Sequence, residues 1–168
     1  MYRPLKKEIV SVLVHNQANV LTRVVSHFGK RGFNIDSLTS SATKDPDLIR
    51  LTIVFSATEQ SMQQIVTQTE KLEVVESVHV LNRENSLYRE LLLLKVEAGP
   101  AERADIKAIV DVFRGKIADL SADSMIMELT GKTEKIDAFL KVMAPYEVLE
   151  MCRTGITGME RVSGKKRS

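Results

Sequence analysis

The sequence predicts an α+β protein built from two ferredoxin-like βαββαβ domains in tandem. Three observations support this prediction. Four segments carry apolar residues at the i, i+3, i+4, i+7 spacing of an amphipathic helix. Runs of β-type apolar residues lie before, between and after these segments, so that the order β-α-β-β-α-β occurs twice. Turn signals separate adjacent strands in each half, as this topology requires.

The predicted elements follow in chain order. Each helical segment has one apolar face and a charged back, which is typical of a helix lying on a sheet. These faces span residues 21–28, 62–69, 106–113 and 136–143. The strands are predicted near 8–15, 34–43, 49–57, 74–82, 89–98, 116–121, 124–130 and 146–158. We place the boundary near residues 82–88, between a first domain of residues 1–83 and a second of residues 84–168.

Several element ends carry characteristic residues. Asp45, Pro46 and Asp47 form a turn signal between two strands, because proline presets φ and aspartate bonds nearby backbone groups. Gly32 and Gly115 follow helical segments and suit the left-handed position after a helix. Both sheets are expected to leave one face free of helices, and an open apolar face is usually closed by a partner. The sequence therefore predicts an obligate oligomer.

Composition excludes several classes of protein. The 168 residues carry a net charge of +2, with five Phe, three Tyr and no Trp, so a basic, base-stacking surface is hard to assemble. The single cysteine, Cys152, excludes an internal disulfide and is expected to be a buried core thiol of the last strand. The longest apolar runs fall far short of the roughly 20 residues that span a bilayer. The start, MYRPLKKEIV, has no signal-peptide pattern, and we expect a cytoplasmic location.

The most informative stretch is HNQANVLTRV (residues 15–24), where a polar loop with two asparagines joins a strand to a helix. Asn19 directly precedes the helical period and suits the N-cap, where its side chain accepts a hydrogen bond from a helical N–H. Asn16 suits an Asx-turn after the strand. As a unit, the loop presents unpaired N–H groups at the positive end of a helix dipole, which favours a carboxylate or phosphate. The residues alone are compatible with both a structural helix cap and a binding site.

No group of residues indicates catalysis. His15, His27 and His79 are scattered and lack metal-ligand spacing. The chain has no Ser/His/Asp or Cys/His set with an orienting partner, and no glycine-rich phosphate loop. The sequence therefore predicts no metal site and no catalytic residue.

Several motifs together resemble a known family. They are NQANVLTRVVSHFGKRGFNIDSLT, DPDLIRLTI, YRELLLLKV, IVDVFRGKIADL, ELTGKTEKIDAFL and RTGITGMERV. This combination closely resembles the small regulatory subunit of acetohydroxyacid synthase (acetolactate synthase), whose first domain is an ACT domain. The resemblance covers nearly the whole chain, and the combination of motifs is specific where each fragment alone would not be.

The resemblance implies a non-catalytic partner of the large catalytic subunit in branched-chain amino acid biosynthesis (valine, leucine and isoleucine). It implies that thiamine diphosphate, Mg and FAD are bound by the catalytic partner, and that this chain binds no cofactor. In the family the small subunit raises the activity of the large one and confers feedback inhibition, usually by valine. ACT domains pair side by side, which implies a homodimer with an amino-acid effector at the interface. The composition and the short apolar runs described above indicate neither a nucleic-acid nor a membrane partner.

The family's effector site maps onto two stretches of this chain. The loop of one chain contributes residues 16–21, and the start of the second strand of the other chain faces it. The residues expected to bind the effector are Asn16, Ala18, Asn19, Val20, Leu21, Asn34 and Ile35. One departure concerns Asn19, because the family has glycine there. Asparagine tolerates positive φ, but its side chain occupies space that glycine leaves to a ligand.

Two other functions compete with this one. The same topology serves RNA-recognition modules, but those need exposed aromatics on a basic sheet, and the inner strands of the first half offer Phe33 and Phe55 with few cations. A free-standing amino-acid-sensing ACT regulator of another enzyme or transporter is the second alternative. The extent of the resemblance favours the synthase subunit over both.

Overall fold

The structure is a computed structural model that describes residues 5–162. It divides into two compact units: one holds the described residues up to Leu87 and from Ile156 onward, and the other holds Tyr88–Gly155. The order β-α-β-β-α-β occurs twice, which confirms the predicted fold class. Within the described residues, no helix is long and apolar enough to cross a membrane.

The first unit contains the elements of the first βαββαβ set. They are β1 (Lys6–His15), α1 (Val20–Gly29), β2 (Ile35–Ala42), β3 (Leu48–Ala57), α2 (Glu59–Thr69) and β4 (Val75–Val80). The antiparallel sheet has the strand order β2-β3-β1-β4, so β1 is an inner strand and β2 is an edge. Alternation along β1 sends Val10, Val12 and Val14 into the core beneath the helices.

Phe28, Phe33 and Phe55 pack edge to face in this core, with ring centroids 5.2–6.2 Å apart. Two of these rings are the aromatics that a base-stacking surface would need. Phe55 is fully buried and Phe33 packs against the core, so neither is displayed on an open sheet.

The opposite face of this sheet differs from expectation. In its middle, Ile9, Ser11, Thr52 and Val54 are buried rather than open. The final segment of the same unit lies beside this face, where Met159 and Glu160 border a small cavity with Ser11. The prediction of an uncovered face is therefore wrong for the centre of the first sheet.

The second set of elements repeats the pattern. It comprises β5 (Ser86–Glu97), α3 (Arg103–Val112), β6 (Lys116–Leu120), β7 (Ser124–Gly131), α4 (Thr133–Met143) and β8 (Val148–Arg153). The strand order is β6-β7-β5-β8, with β8 at an edge. Leu92, Leu94 and Val96 of β5 point into the core, together with Ile106 of α3 and Phe139 of α4.

The strand predicted near 146–158 is two strands. Thr154–Ile156 interrupts it, Gly155 has a φ of 78°, and β9 (Thr157–Glu160) follows and pairs with β5. Cys152 lies in β8, and its expected burial is wrong because the thiol is exposed. The reason is that β8 is an edge strand in which Val148, Leu149 and Met151 are exposed as well. Such an apolar edge is typical of an interaction surface.

The predicted domains, 1–83 and 84–168, differ from the compact units in one respect. The chain passes from the first unit to the second between Leu87 and Tyr88, within the predicted boundary region 82–88. Residues from Ile156 onward group with the first unit, and the N–H of Arg161 donates to the Asn85 carbonyl at 2.7 Å. The domain limits themselves stay a prediction.

The prediction for the end of α3 is wrong about which residue is left-handed. Gly32 after α1 has a φ of 78°, as predicted, but after α3 the left-handed residue is Arg114, with a φ of 54°, and not Gly115. The N–H of Arg114 donates to Asp111 and that of Gly115 donates to Val110, which closes the helix end. Gly115 is needed for a close approach: a Cβ there would lie 3.1 Å from the Glu128 carbonyl oxygen and 3.1 Å from Val110 Cγ1.

We therefore expect Gly115→Ala to lower the free energy of unfolding by about 1–3 kcal/mol, because a backbone carbonyl cannot easily move away. Urea unfolding measures this. Gly29→Ala is the matched control, since no atom lies within 4 Å of a Cβ at that position and the substitution should cost nothing. Equal stability of the two variants would contradict the close-approach argument.

His27 makes the stability of the first unit depend on pH. Its ring is buried on α1, its Nε2 has no partner among the described residues, and Arg31 lies one turn further on. Burial, and secondarily the Arg31 charge, hold the pKa of His27 below 6.5. The unfolded chain therefore binds this proton more readily than the folded one. Stability must fall as the pH drops below 6.5 and level off below the lowered pKa.

We expect His27→Gln to remove this component of acid destabilisation. The measurement is urea unfolding of wild type and variant between pH 7.5 and pH 5. The difference between their stabilities should change in favour of the variant at the acidic end, by about 1.4 kcal/mol for each tenfold weakening of proton affinity. Parallel curves for His27→Gln and wild type would refute the assignment.

Candidate functional site

The predicted site begins where β1 ends, in the β1–α1 loop (residues 16–19). The N–H of Asn16 donates to the Asp47 carbonyl at 2.8 Å, and its Nδ2 donates to the Pro46 carbonyl at 3.1 Å. Asn16 is therefore bonded to the turn between β2 and β3, and the Asx-turn interpretation is wrong. Because a carbonyl accepts only from the amide NH₂, the Oδ1 of Asn16 points away from this contact. None of the described residues donates to Oδ1.

Asn19 occupies the N-cap position of α1 in an unusual conformation. Its φ is 64° and its ψ is 9°, in the left-handed region, and its side chain makes no capping bond. The expected side-chain cap is therefore wrong, because an N-cap side chain reaches the helical N–H groups from an extended backbone. The expectation that asparagine tolerates the glycine-like backbone is confirmed by the positive φ.

The first turn of α1 leaves amide groups unused. The N–H of Val20 donates to the Gln17 carbonyl at 3.3 Å, and regular helical bonding starts with Arg23 donating to Asn19 at 3.0 Å. Within residues 5–162, nothing accepts from the N–H groups of Asn19, Leu21 and Thr22. Thr22 was missed by the sequence argument, although any helix leaves its early N–H groups unpaired. Together with the helix dipole, these donors suit a carboxylate.

The side chains around these donors are mostly accessible. Ala18 and Asn19 are exposed, and Leu21 is 40% exposed, so an apolar side chain stands beside the free amides. Val20 is buried in the core and contributes packing only. Arg23 Nη2 lies 3.8 Å from Glu73, and His15 Nε2 lies 3.6 Å from Glu76. Arg23 and His15 therefore each face a carboxylate of the chain itself.

Asn34 and Ile35 lie far from the loop in the same chain. Ile35 pairs with Phe55, which in turn pairs with Glu8 at the start of β1. The strand from Glu8 to Asn16 covers roughly 26 Å at about 3.3 Å per residue. Asn34 is exposed, whereas Ile35 is half-buried against the core. One chain thus brings residues 16–21 together and keeps Asn34 and Ile35 at the other end of the sheet.

Nothing in the described part of the chain resembles a metal centre, since no cluster of three or more His, Cys, Asp or Glu could hold an ion. The chemistry of the loop is that of recognition: unpaired N–H donors, one amide oxygen and an exposed leucine.

Comparison with known proteins identifies the family. A family model described as "AHAS small subunit-like ACT domain" matches residues 10–77, and one described as "Small subunit of acetolactate synthase" matches residues 89–162. Curated relatives include the acetolactate synthase small subunit of Buchnera aphidicola, 38% identical over 92% of this chain and 99% of the relative. The probable acetolactate synthase small subunit of Archaeoglobus fulgidus is 41% identical over 95% and 99%.

A solved structure agrees with these relatives. The crystal structure of the acetolactate synthase small subunit from Thermotoga maritima superposes with a TM-score of 0.89. It is 37% identical and covers 94% of this chain and 99% of its own. The similarity therefore extends over both βαββαβ sets and over nearly the full length of each protein compared. The chain belongs to the family of acetolactate synthase small subunits, the regulatory subunits of that enzyme.

Proposed function

We propose that this chain binds the large catalytic subunit of acetolactate synthase, raises its activity, and makes it sensitive to feedback inhibition by valine. Family membership supports the pairing with a catalytic subunit. Thiamine diphosphate, Mg and FAD would be held by that partner, and the assembly would act in the cytoplasm. The observation that carries the regulatory half is the β1–α1 loop, where the N–H groups of Asn19, Leu21 and Thr22 have no acceptor among residues 5–162.

The loop offers partners for each part of a zwitterionic amino acid. The carboxylate would accept from the N–H groups of Leu21 and Thr22 at the positive end of α1. The ammonium would donate to Asn16 Oδ1, which the Pro46 contact orients away from the β2–β3 turn. The exposed side chain of Leu21 would contact the isopropyl group. A branched apolar amino acid therefore fits better than a charged one.

Strand register supports completion of the site by a second copy. β1 and β2 both pair antiparallel with β3, so they run in the same direction, and Ala42 at the end of β2 is level with Val14 near the loop. β2 is an edge strand. Antiparallel pairing of two β2 edges would place the start of the partner's β2 level with this loop. A homodimer would thus place Asn34 and Ile35 of one chain opposite residues 16–21 of the other.

Asn34→Ala is expected to weaken valine binding at least tenfold. Asn34 is exposed and the described residues offer it no hydrogen bond, so its loss should not disturb the fold. A hydrogen bond to a charged group contributes about 1.5–3 kcal/mol, and a tenfold change in affinity corresponds to about 1.4 kcal/mol. Calorimetric titration of the full chain with valine measures the affinity. Asn82→Ala, at another exposed asparagine, is the control and should bind like wild type.

The same proteins test the function when they are mixed with the catalytic subunit. Acetolactate formation should rise when the chain is added and fall again with valine, and Asn34→Ala should keep the rise while needing more valine. Valine binding without any change in rate would instead favour a free-standing amino-acid sensor. Unchanged affinity in Asn34→Ala would rule out the interface as the site.

Asn19→Gly is expected to bind valine more tightly than wild type. The backbone at Asn19 already has the positive φ that glycine adopts freely, so the loop conformation should be retained. Removing the side chain would let the ligand approach the unused N–H groups more closely. Calorimetry compares the two affinities at the same pH and salt. Wild-type binding as tight as that of Asn19→Gly would show that the asparagine imposes no cost.

A further inference from the structure

A small cavity lies on the face of the first sheet that the helices leave free. Its volume is about 200 Å³, and all its walls belong to the first unit. It is lined by Ser11, Arg50, His79, Leu81, Met159 and Glu160. We call it the Arg50 cavity. It shares no residue with the β1–α1 loop.

Arg50 is held in a fixed position in this cavity. Its Nη1 donates to Ser11 Oγ at 2.6 Å, and Ser11 is buried on β1. A guanidinium has five N–H donors, and no other partner of Arg50 occurs among the residues that the structure describes. Arg50 is half-buried on β3, so its charge is partly removed from water. The remaining donors are available to an anion.

We propose that the Arg50 cavity binds a small carboxylate, with Arg50 as its principal contact. A guanidinium fork matches the two oxygens of a carboxylate. At about 200 Å³ the cavity is small and suits a ligand of a few heavy atoms. Leu81 and Met159 would contact a short apolar part.

Two kinds of molecule share this chemistry, and Glu160 distinguishes them. A simple carboxylic acid has no group for a wall carboxylate, whereas a free amino acid would place its ammonium against it. Acetate and glycine are therefore the two probes. Glu160→Gln should weaken glycine binding and leave acetate binding unchanged if an amino acid is the natural ligand. Equal effects on both probes would assign the site to simple carboxylates.

Calorimetry and amide NMR shifts of the full chain, titrated with acetate or glycine at constant ionic strength, test the proposal. Saturable one-to-one binding is expected, with the largest shifts at Ser11 and Arg50. Arg50→Gln should weaken binding at least tenfold. Arg50→Lys keeps the charge and loses the fork, so its affinity should lie between those of wild type and Arg50→Gln. Arg89→Gln, at an exposed arginine outside the cavity, should bind like wild type.

Thermal melting without ligand guards against a folding defect in the Arg50 variants. Arg50→Gln should keep a single cooperative transition while it loses affinity for the probe, since only a half-buried side chain is changed. Absence of saturable binding by wild type, or binding by Arg50→Gln as tight as that of wild type, would overturn the proposal. Asn34→Ala should leave acetate binding unchanged, which separates this site from the valine site proposed above.

Discussion

The first unit depends on the strict alternation of β1. This inner strand pairs with β3 along its whole length and with β4 at residues 10–14, so its central residues are fixed in register by two neighbours. Val10, Val12 and Val14 fill the core beneath the helices, while Ser11 projects to the other face and accepts from Arg50. A slip of one residue would exchange these sets and bury the polar side beneath the helices. The strand therefore also determines where the β1–α1 loop begins.

Two tethers shape that strand end and the loop that follows it. Asn16 is bonded through backbone and side chain to the β2–β3 turn, and Asn19 turns the chain through a left-handed conformation into α1. The consequence is a helix in which the N–H groups of Leu21 and Thr22 meet no acceptor among the described residues. Exposed amides of this kind are ordinarily satisfied by water, and a carboxylate replaces that water with charge-assisted bonds.

In the second unit, an ion pair connects separate elements of the fold, as the side-chain amide of Asn16 does in the first unit. Glu90 is buried at the start of β5, and Arg153 at the end of β8 donates to it and to Asp137 of α4, both at 2.7 Å. The hydrogen bond to Glu90 is the main reason that the pKa of Arg153 is raised. A buried carboxylate requires such a partner. The pair holds the otherwise exposed β8 to its sheet, and the chain turns away directly afterwards at Gly155.

Periodicity predicted the fold because each helix and strand buries one face, and burial leaves its period in the sequence. It could not predict how an edge strand is exposed, which is why Cys152 was misplaced, nor that Arg114 rather than Gly115 adopts the left-handed conformation. The sequence could locate the candidate site only as a stretch of chain, without the role of each side chain. Whether an asparagine caps, turns or presents its oxygen depends on the partner it meets, and the partner of Asn16 is a carbonyl thirty residues away. That contact is tertiary, and it determines which atom of Asn16 faces a ligand.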